Sequence, residues 1–131
     1  MHIELFLPFP PTVNNYYSKT KRGVYISHQG RKFRDEVAEA VAEQLGGDLG
    51  ITERMLVEVV LFPGDKRVRD VDNYSKGLLD ALTKAFVWED DALIDQLFIY
   101  RGEVRSRRGS CFVRITEAGP VITDVAQLPM D

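Results

Sequence analysis

The eight residues MLVEVVLF, 55 to 62, leave the chain few ways to fold. All are apolar except Glu58, so the segment as a strand is apolar on both sides and belongs in the interior of a sheet. The rest of the chain must then supply strands on either side of it and helices to cover it. At 131 residues one domain is enough to do this without disulfide or metal staples. The whole chain, 1–131, is therefore expected to be a single domain.

Residues 2 to 7, HIELFL, alternate as a strand does, and PFPP ends it because proline cannot donate to a ladder. TVNNYYSKTKRG reads as a loop, and VYIS at 24 to 27 reads as a short strand. Ser27 is placed to cap a helix over Gln29 to Leu45. In that helix Phe33, Val37, Ala40, Val41 and Leu45 recur at intervals of three and four, and Gly46 with Gly47 stops it. After the turn PGDKRVRD, a second helix is expected from Asp72 or Asn73 to about Phe86, with Asp72 as its cap and Leu78, Leu79, Leu82 and Ala85 buried. LIDQLFIYRGEV then reads as a long strand, RRGS as a hairpin turn and CFVRIT as the antiparallel partner. These elements predict an α+β fold, one mixed sheet with two main helices packed on it. Residues 118–131 have weak periodicity and could form a tail or a dimer contact.

Several function classes drop out on composition. No apolar run approaches the roughly 18 to 20 residues of a membrane span. The N-terminus has no basic leader, carries Glu4 within its apolar run and meets Pro8 early, so no membrane association and a cytoplasmic location are expected. The one cysteine, Cys111, alternates with apolar neighbours in a strand pattern and is expected to pack in the core. With His2 and His28 as the only histidines, zinc has no ligand set. Any metal is expected to be a hard, oxygen-bound one.

The net charge of −3 argues superficially against a nucleic-acid partner, but the distribution argues for one. Thirteen of the 17 Lys and Arg residues fall in three windows: Lys19 to Arg34, Lys66 to Arg69 and Arg101 to Arg108. Glu103 is the lone acid in them. Brought to one face, these windows would hold several phosphates. Left apart, they are wet loops.

The chemistry-bearing stretch is RDVDNYSKGLLDAL, 69 to 82. If the chain is extended before the helix, Asp70 and Asp72 point the same way. Asp90 and Asp91 come from a second loop that can return to the same edge. Carboxylates gathered in this way repel by about 4 kcal/mol per pair at 4 Å and a dielectric of 20, and a divalent cation such as Mg2+ would neutralise them. Lys76, one helical turn beyond Asp72, can hold a scissile phosphate, orient or deprotonate a water, or offset charge in the transition state. Taken singly these residues have simpler roles: a cap at Asp72, a turn at Asp70, an i,i+4 pair between Lys76 and Asp80, and a solvated loop at EDD. Asp-x-Asp also opens the phosphotransfer site of the haloacid dehalogenase type, but DKRVR is no buried strand and the chain is too short for that fold. The coincidence of two acid pairs, Asn73, Lys76 and flanking arginines favours a metal-dependent nuclease.

RDVDNYSKGLLDALTKAFVWEDDALID, with PFPPTVNNYY near the start and ISHQGRKFRDEV opening the first helix, resembles the RusA-type Holliday junction resolvases over nearly the whole chain, to about residue 117. The resemblance implies a small homodimeric endonuclease, often carried by phages or prophages of bacteria, that cuts four-way junction DNA symmetrically using Mg2+ or Mn2+ in recombination and repair. It implies that Asp70, Asp72 and Asp91 bind metal, that Lys76 is the catalytic lysine, and that Asn73 and Asp90 support them. It also implies DNA contacts by Arg69 with Lys66 and Arg67, and by some of Lys19, Lys21, Arg22, Arg31 and Lys32. The basic run before the acid pair departs from the family pattern, because Val68 interrupts it. The competing readings are a non-catalytic DNA-binding protein, which would not need Asp70 and Asp72, and a metal-dependent nucleotide hydrolase, which would not need thirteen clustered basic residues.

Overall fold

The strand Met55–Phe62 is flanked on both sides, as its composition requires, in a four-stranded mixed sheet. The computed structural model of the chain describes residues 1–120. Their order is β1 (His2–Pro8), α1 (Val13–Tyr16), β2 (Tyr17–Thr20), β3 (Gly23–Ile26), α2 (His28–Leu45), β4 (Met55–Phe62), α3 (Ser75–Lys84), β5 (Ile94–Arg101) and β6 (Ser110–Glu117). Two 3-10 turns, Val71–Tyr74 and Asp91–Leu93, precede α3 and β5. The α+β architecture with one main mixed sheet is thus as expected. The part of the C-terminal segment beyond 120 lies outside the described residues.

The expected hairpin of the last two strands does not form. The sheet order is β1-β6-β4-β5, with β6 antiparallel to both β1 and β4, and β5 parallel to β4 at the edge. Two physical reasons account for it. The connection from β4 to β5 runs through α3, and a helical crossover delivers the next strand parallel to the first. And β6 buries Cys111, Val113 and Ile115 completely, which an interior position allows, whereas β5 leaves Leu97, Phe98 and Tyr100 exposed. The chain reaches the interior position by passing over the end of β4. There the Arg105 guanidinium lies 4.0 Å from the Phe62 ring centroid, and Gly64 and Gly109 leave room for the two backbones to touch.

The core lies on one face of the sheet. Leu5, Leu7, Val57, Val59, Leu61, Val113 and Ile115 point into it from the strands and meet Phe33, Val37 and Val41 of α2 and Leu78, Ala81 and Leu82 of α3. On the opposite face one row crosses all four strands as Phe6, Phe112, Val60 and Tyr100. Cys111 is fully buried, and burial pushes its thiol up to about 12, so it is packing material as its sequence pattern suggested.

The segment read as a loop before residue 24 has structure of its own. Thr12 caps the single turn of α1, and β2 pairs with β3 in a separate two-stranded ribbon. Tyr16, at the end of α1, is buried between two helices that each place a glycine against it. An added Cβ at Gly77 of α3 would lie 2.8 Å from the Tyr16 ring, and one at Gly30 of α2 would strike the Tyr16 carbonyl oxygen. Both glycines stand in the first turn of their helices, and the space that their missing Cβ atoms leave is what admits Tyr16. These contacts fix α1 and the ribbon beside the start of α3.

Candidate active site

The acids of the 69 to 82 stretch are placed differently from the simple capped helix. Asp70 ends the extended segment and sits at the cap position of the 3-10 turn, with no side-chain hydrogen bond. Asp72 lies inside that turn rather than capping α3. Its carbonyl, not its carboxylate, is used: it accepts from Ser75 Oγ at 3.0 Å. Asp70 is extended and Asp72 is inside the turn, so the two acids are not alternate residues of one strand. Among the described residues, neither carboxylate makes a hydrogen bond or ion pair. The structural duties that could have explained them are therefore unassigned.

Lys76 is similarly free. The expected i,i+4 pair with Asp80 is replaced by a pair across the core boundary, in which Arg34 of α2 donates to Asp80 Oδ2 at 2.7 Å. Tyr16 OH also donates to Asp80, and Arg34 Nε donates to Tyr16 OH at 2.7 Å. This three-membered network ties α1, α2 and α3 together and raises the Tyr16 phenol well above its ordinary range, through burial first and then Asp80. Lys76 is exposed and makes no ion pair among the described residues. It opens onto a cavity lined also by Val13, Asn14, Tyr17, Lys19 and Val24.

Asp91 arrives from the other side. Helix α3 ends in a paired-hydrogen-bond stop in which Phe86 N donates to Thr83 O at 3.0 Å and Val87 N to Leu82 O at 3.2 Å. Phe86 takes the left-handed conformation (φ 57) usually given to glycine, at a cost of roughly 1 kcal/mol. The chain then turns back to Trp88, which is fully buried and donates from Nε1 to Thr83 Oγ1 at 2.7 Å. Glu89 N donates to Ile51 O at 2.9 Å. Asp90 caps the next turn by accepting from Ala92 N at 2.9 Å. Asp91 follows, its carboxyl held above the ordinary aspartate range by burial, by Asp90 and by the charge of Asp80. The Tyr17 phenol is likewise raised, by burial and then by the charges of Asp80 and Asp91.

Asp70, Asp72 and Asp91 offer only hard oxygen donors. The first two have no protein partner among the described residues, and Asp91 carries an uncompensated acid environment. In kind, this donor set fits a divalent cation of the magnesium type. In arrangement it is open, because among the described residues no three His, Cys, Asp or Glu side chains form a metal-holding group.

The basic residues divide in two. Arg69 is only 15% exposed and bound inward, to Asp65 Oδ1 at 2.8 Å and to the carbonyls of Asp65 and Arg67. Arg67 also pairs with Asp65, whose carboxyl is pulled down to about 2, chiefly by the Arg67 backbone N–H and then by the two arginine side chains. Asp65 is the hub of this loop, and sequence reading missed it because nothing local distinguishes it from any turn aspartate. Arg31 donates to Ile26 O at 3.1 Å, and Lys32 stands 4.0 Å from Glu36. Lys19, Lys21, Arg22 and Lys66 are exposed and make no ion pair among the described residues. Val68, between the two engaged arginines, is 94% exposed.

A small α+β domain thus holds, at one strand-to-helix passage and beside exposed cations, acids and a lysine that have no side-chain partner among the described residues, which are the kinds of group a metal-dependent nuclease uses. The chain belongs to the RusA family: the family model described as Endodeoxyribonuclease RusA matches residues 8–116. It is 37% identical over 114 residues to the crossover junction endodeoxyribonuclease rusA of Enterobacteria phage HK97, covering 87% of this chain and 93% of that protein. It is 34% identical over 113 residues to the RusA crossover junction endodeoxyribonucleases of Escherichia coli K12 and of Enterobacteria phage 82, covering 86% of this chain and 92% of each.

Proposed function

We propose that this chain is a crossover-junction endodeoxyribonuclease that resolves four-way DNA junctions by paired hydrolysis of two phosphodiester bonds. The observation that carries this reading is that Asp70, Asp72 and Lys76 stand at one helix start with no side-chain partner among the described residues, while the residues that could have neutralised them, Arg34 and Arg69, are spent elsewhere. Asp70, Asp72 and Asp91 would hold Mg2+ or Mn2+, which when bound supplies charge neutralisation and a lowered pKa for the attacking water. Lys76 Nζ would hold a non-bridging oxygen of the scissile phosphate and oppose the negative charge that grows there in the transition state. Asn73 and Asp90 would support these groups, Asp90 by fixing the turn that presents Asp91. Exposed Lys19, Lys21, Arg22 and Lys66 would bind DNA phosphates, with Arg31 and Lys32 beside them. Arg67 and Arg69 would shape the loop as well as meet DNA.

A junction has two strands to cut at symmetric positions, so a two-fold homodimer with one site per subunit matches its substrate. No helix among the described residues is long and apolar enough to cross a membrane. The phage and bacterial relatives support action in the cytoplasm of a bacterial host, from a phage- or prophage-borne gene.

The direct test is a synthetic four-way junction set against a duplex of the same sequence, with Mg2+ or with chelator. Paired symmetric nicks on the junction alone, and only with metal, are expected; equal cutting of the duplex would sink the junction assignment. Salt titration of junction binding in chelator checks the cationic face. Five free cations, Lys76 included, give an expected slope of log affinity against log salt of about −4 or steeper. A flat line would remove these residues from the DNA interface.

A further inference from the structure

The cavity that Lys76 opens onto has a chemistry the phosphodiester reaction by itself does not require. It measures about 480 Å³ and lies between α1, the β2–β3 ribbon and the start of α3. Its walls are an aromatic ring from Tyr17, two branched apolar side chains from Val13 and Val24, the amide of Asn14, and ammonium groups from Lys19 and Lys76. A pocket that served phosphate alone would need only the lysines. An aromatic and apolar wall facing a base-sized space suits a nucleobase, because every base has a face that stacks on a ring. The Asn14 amide, donor and acceptor at once, is exposed and makes no hydrogen bond among the described residues. Such an amide can pair with a base edge, and pairing of that kind discriminates between bases.

The position is as informative as the composition. Tyr17 opens β2 directly after the buried Tyr16. Its ring is braced edge-on by Tyr16, with centroids 4.8 Å apart and planes at 76°, and Tyr16 is itself locked by Arg34 and Asp80. The wall is therefore rigid. A base inside a continuous duplex cannot reach such a cavity without leaving its stack, and that costs least where stacking is already interrupted.

Resting on the reading of the site as a junction nuclease, we propose that this cavity is a base pocket. It takes the nucleobase next to the cleaved phosphodiester, out of its stack, with Tyr17 as the stacking wall and Asn14 reading the base edge. Cleavage is then sequence-dependent by virtue of residues 13 to 24, not of the acids.

The test uses the full chain and junctions with a fixed crossover, in which the nucleotides flanking the cleaved bond are varied one at a time through the four bases. Single-turnover rates in Mg2+ are compared within each variant, so any loss of folded protein cancels in the ratio. The wild type is expected to spread by tenfold or more across the four bases at one flanking position. Asn14→Ala is expected to shrink that spread by about tenfold, as loss of one base-reading pair does, with junction affinity in chelator within about threefold of wild type, since phosphate contacts carry most of the affinity. Tyr17→Phe, which keeps the ring, is expected to cut as the wild type does, and Tyr17→Leu to cut all four substrates more slowly. An unchanged spread in Asn14→Ala, no spread in the wild type, or Tyr17→Phe as slow as Tyr17→Leu would each overturn the pocket while leaving the nuclease reading intact. A wild type that nicks no junction would overturn that reading, and the pocket with it.

Discussion

Asp72→Asn is expected to lower metal-dependent junction nicking by about a thousandfold or more while leaving junction binding intact or slightly tighter. The substitution keeps the shape of the side chain and removes one negative charge. Metal ions supply several kcal/mol of transition-state stabilisation, and each 1.36 kcal/mol is tenfold in rate. The fold should not register the change. The Asp72 carbonyl, not its carboxylate, accepts from Ser75 Oγ, and an exposed side chain without partners contributes within about 0.5 kcal/mol to stability. Thermal unfolding of the variant should therefore overlay the wild type. Binding measured with chelator should hold or improve, because a carboxylate facing phosphate repels it. Normal nicking by this variant would exclude Asp72 from the metal site. A large loss of stability would instead give Asp72 a structural duty that its surroundings do not show.

Trp88→Ala carries the largest expected effect on stability and links the core to the site. The indole is fully buried, its Nε1 donates to Thr83 Oγ1, and its backbone lies in a parallel bridge with Ile51. Truncating a buried tryptophan costs about 3 to 5 kcal/mol. That is a large share of the total for a domain whose stability is of order 5 to 15 kcal/mol. A fall in Tm of about 10 to 20 °C is expected for a chain of this size, read by calorimetry. Because Asp90 and Asp91 begin two residues later, the variant should also lose nicking below its Tm, at temperatures where far-UV circular dichroism reports it folded. Trp88→Phe, which keeps most of the volume, should recover more of both properties. A variant that unfolds early yet nicks normally when folded would show that the Asp91 turn holds itself in place without Trp88.

The strengths and gaps of the sequence reading have physical causes. The 3.6-residue periodicity of Phe33, Val37 and Val41 found α2, and the two-sided apolar content of 55 to 62 found an interior strand, because both signals are local. β2 escaped notice because Tyr17–Thr20 is largely exposed and has no apolar period; only pairing with β3 makes it a strand. The hairpin expected at RRGS failed for a different reason. A turn signal states that the chain reverses, and β6 does run opposite to β5, but the signal cannot state that β4 lies between them. The cap expected at Asp72 moved because a 3-10 turn intervened before α3, which puts the acid within that turn and not at the start of the helix.

The sequence by itself determined the main helices and the strands of the large sheet, the chemical kinds of group available and their clustering around residues 70 to 91, since propensity, periodicity and residue chemistry are properties of short stretches. Only the tertiary structure decided which charges are consumed and which are left over. Arg34 meets Asp80 across 46 positions of chain, Arg69 is turned inward on Asp65, and Lys76, Asp70 and Asp72 remain without side-chain partners among the described residues. An ion pair depends on distance in space, and no local pattern records which distant residues the packing of α2 against α3 brings within reach.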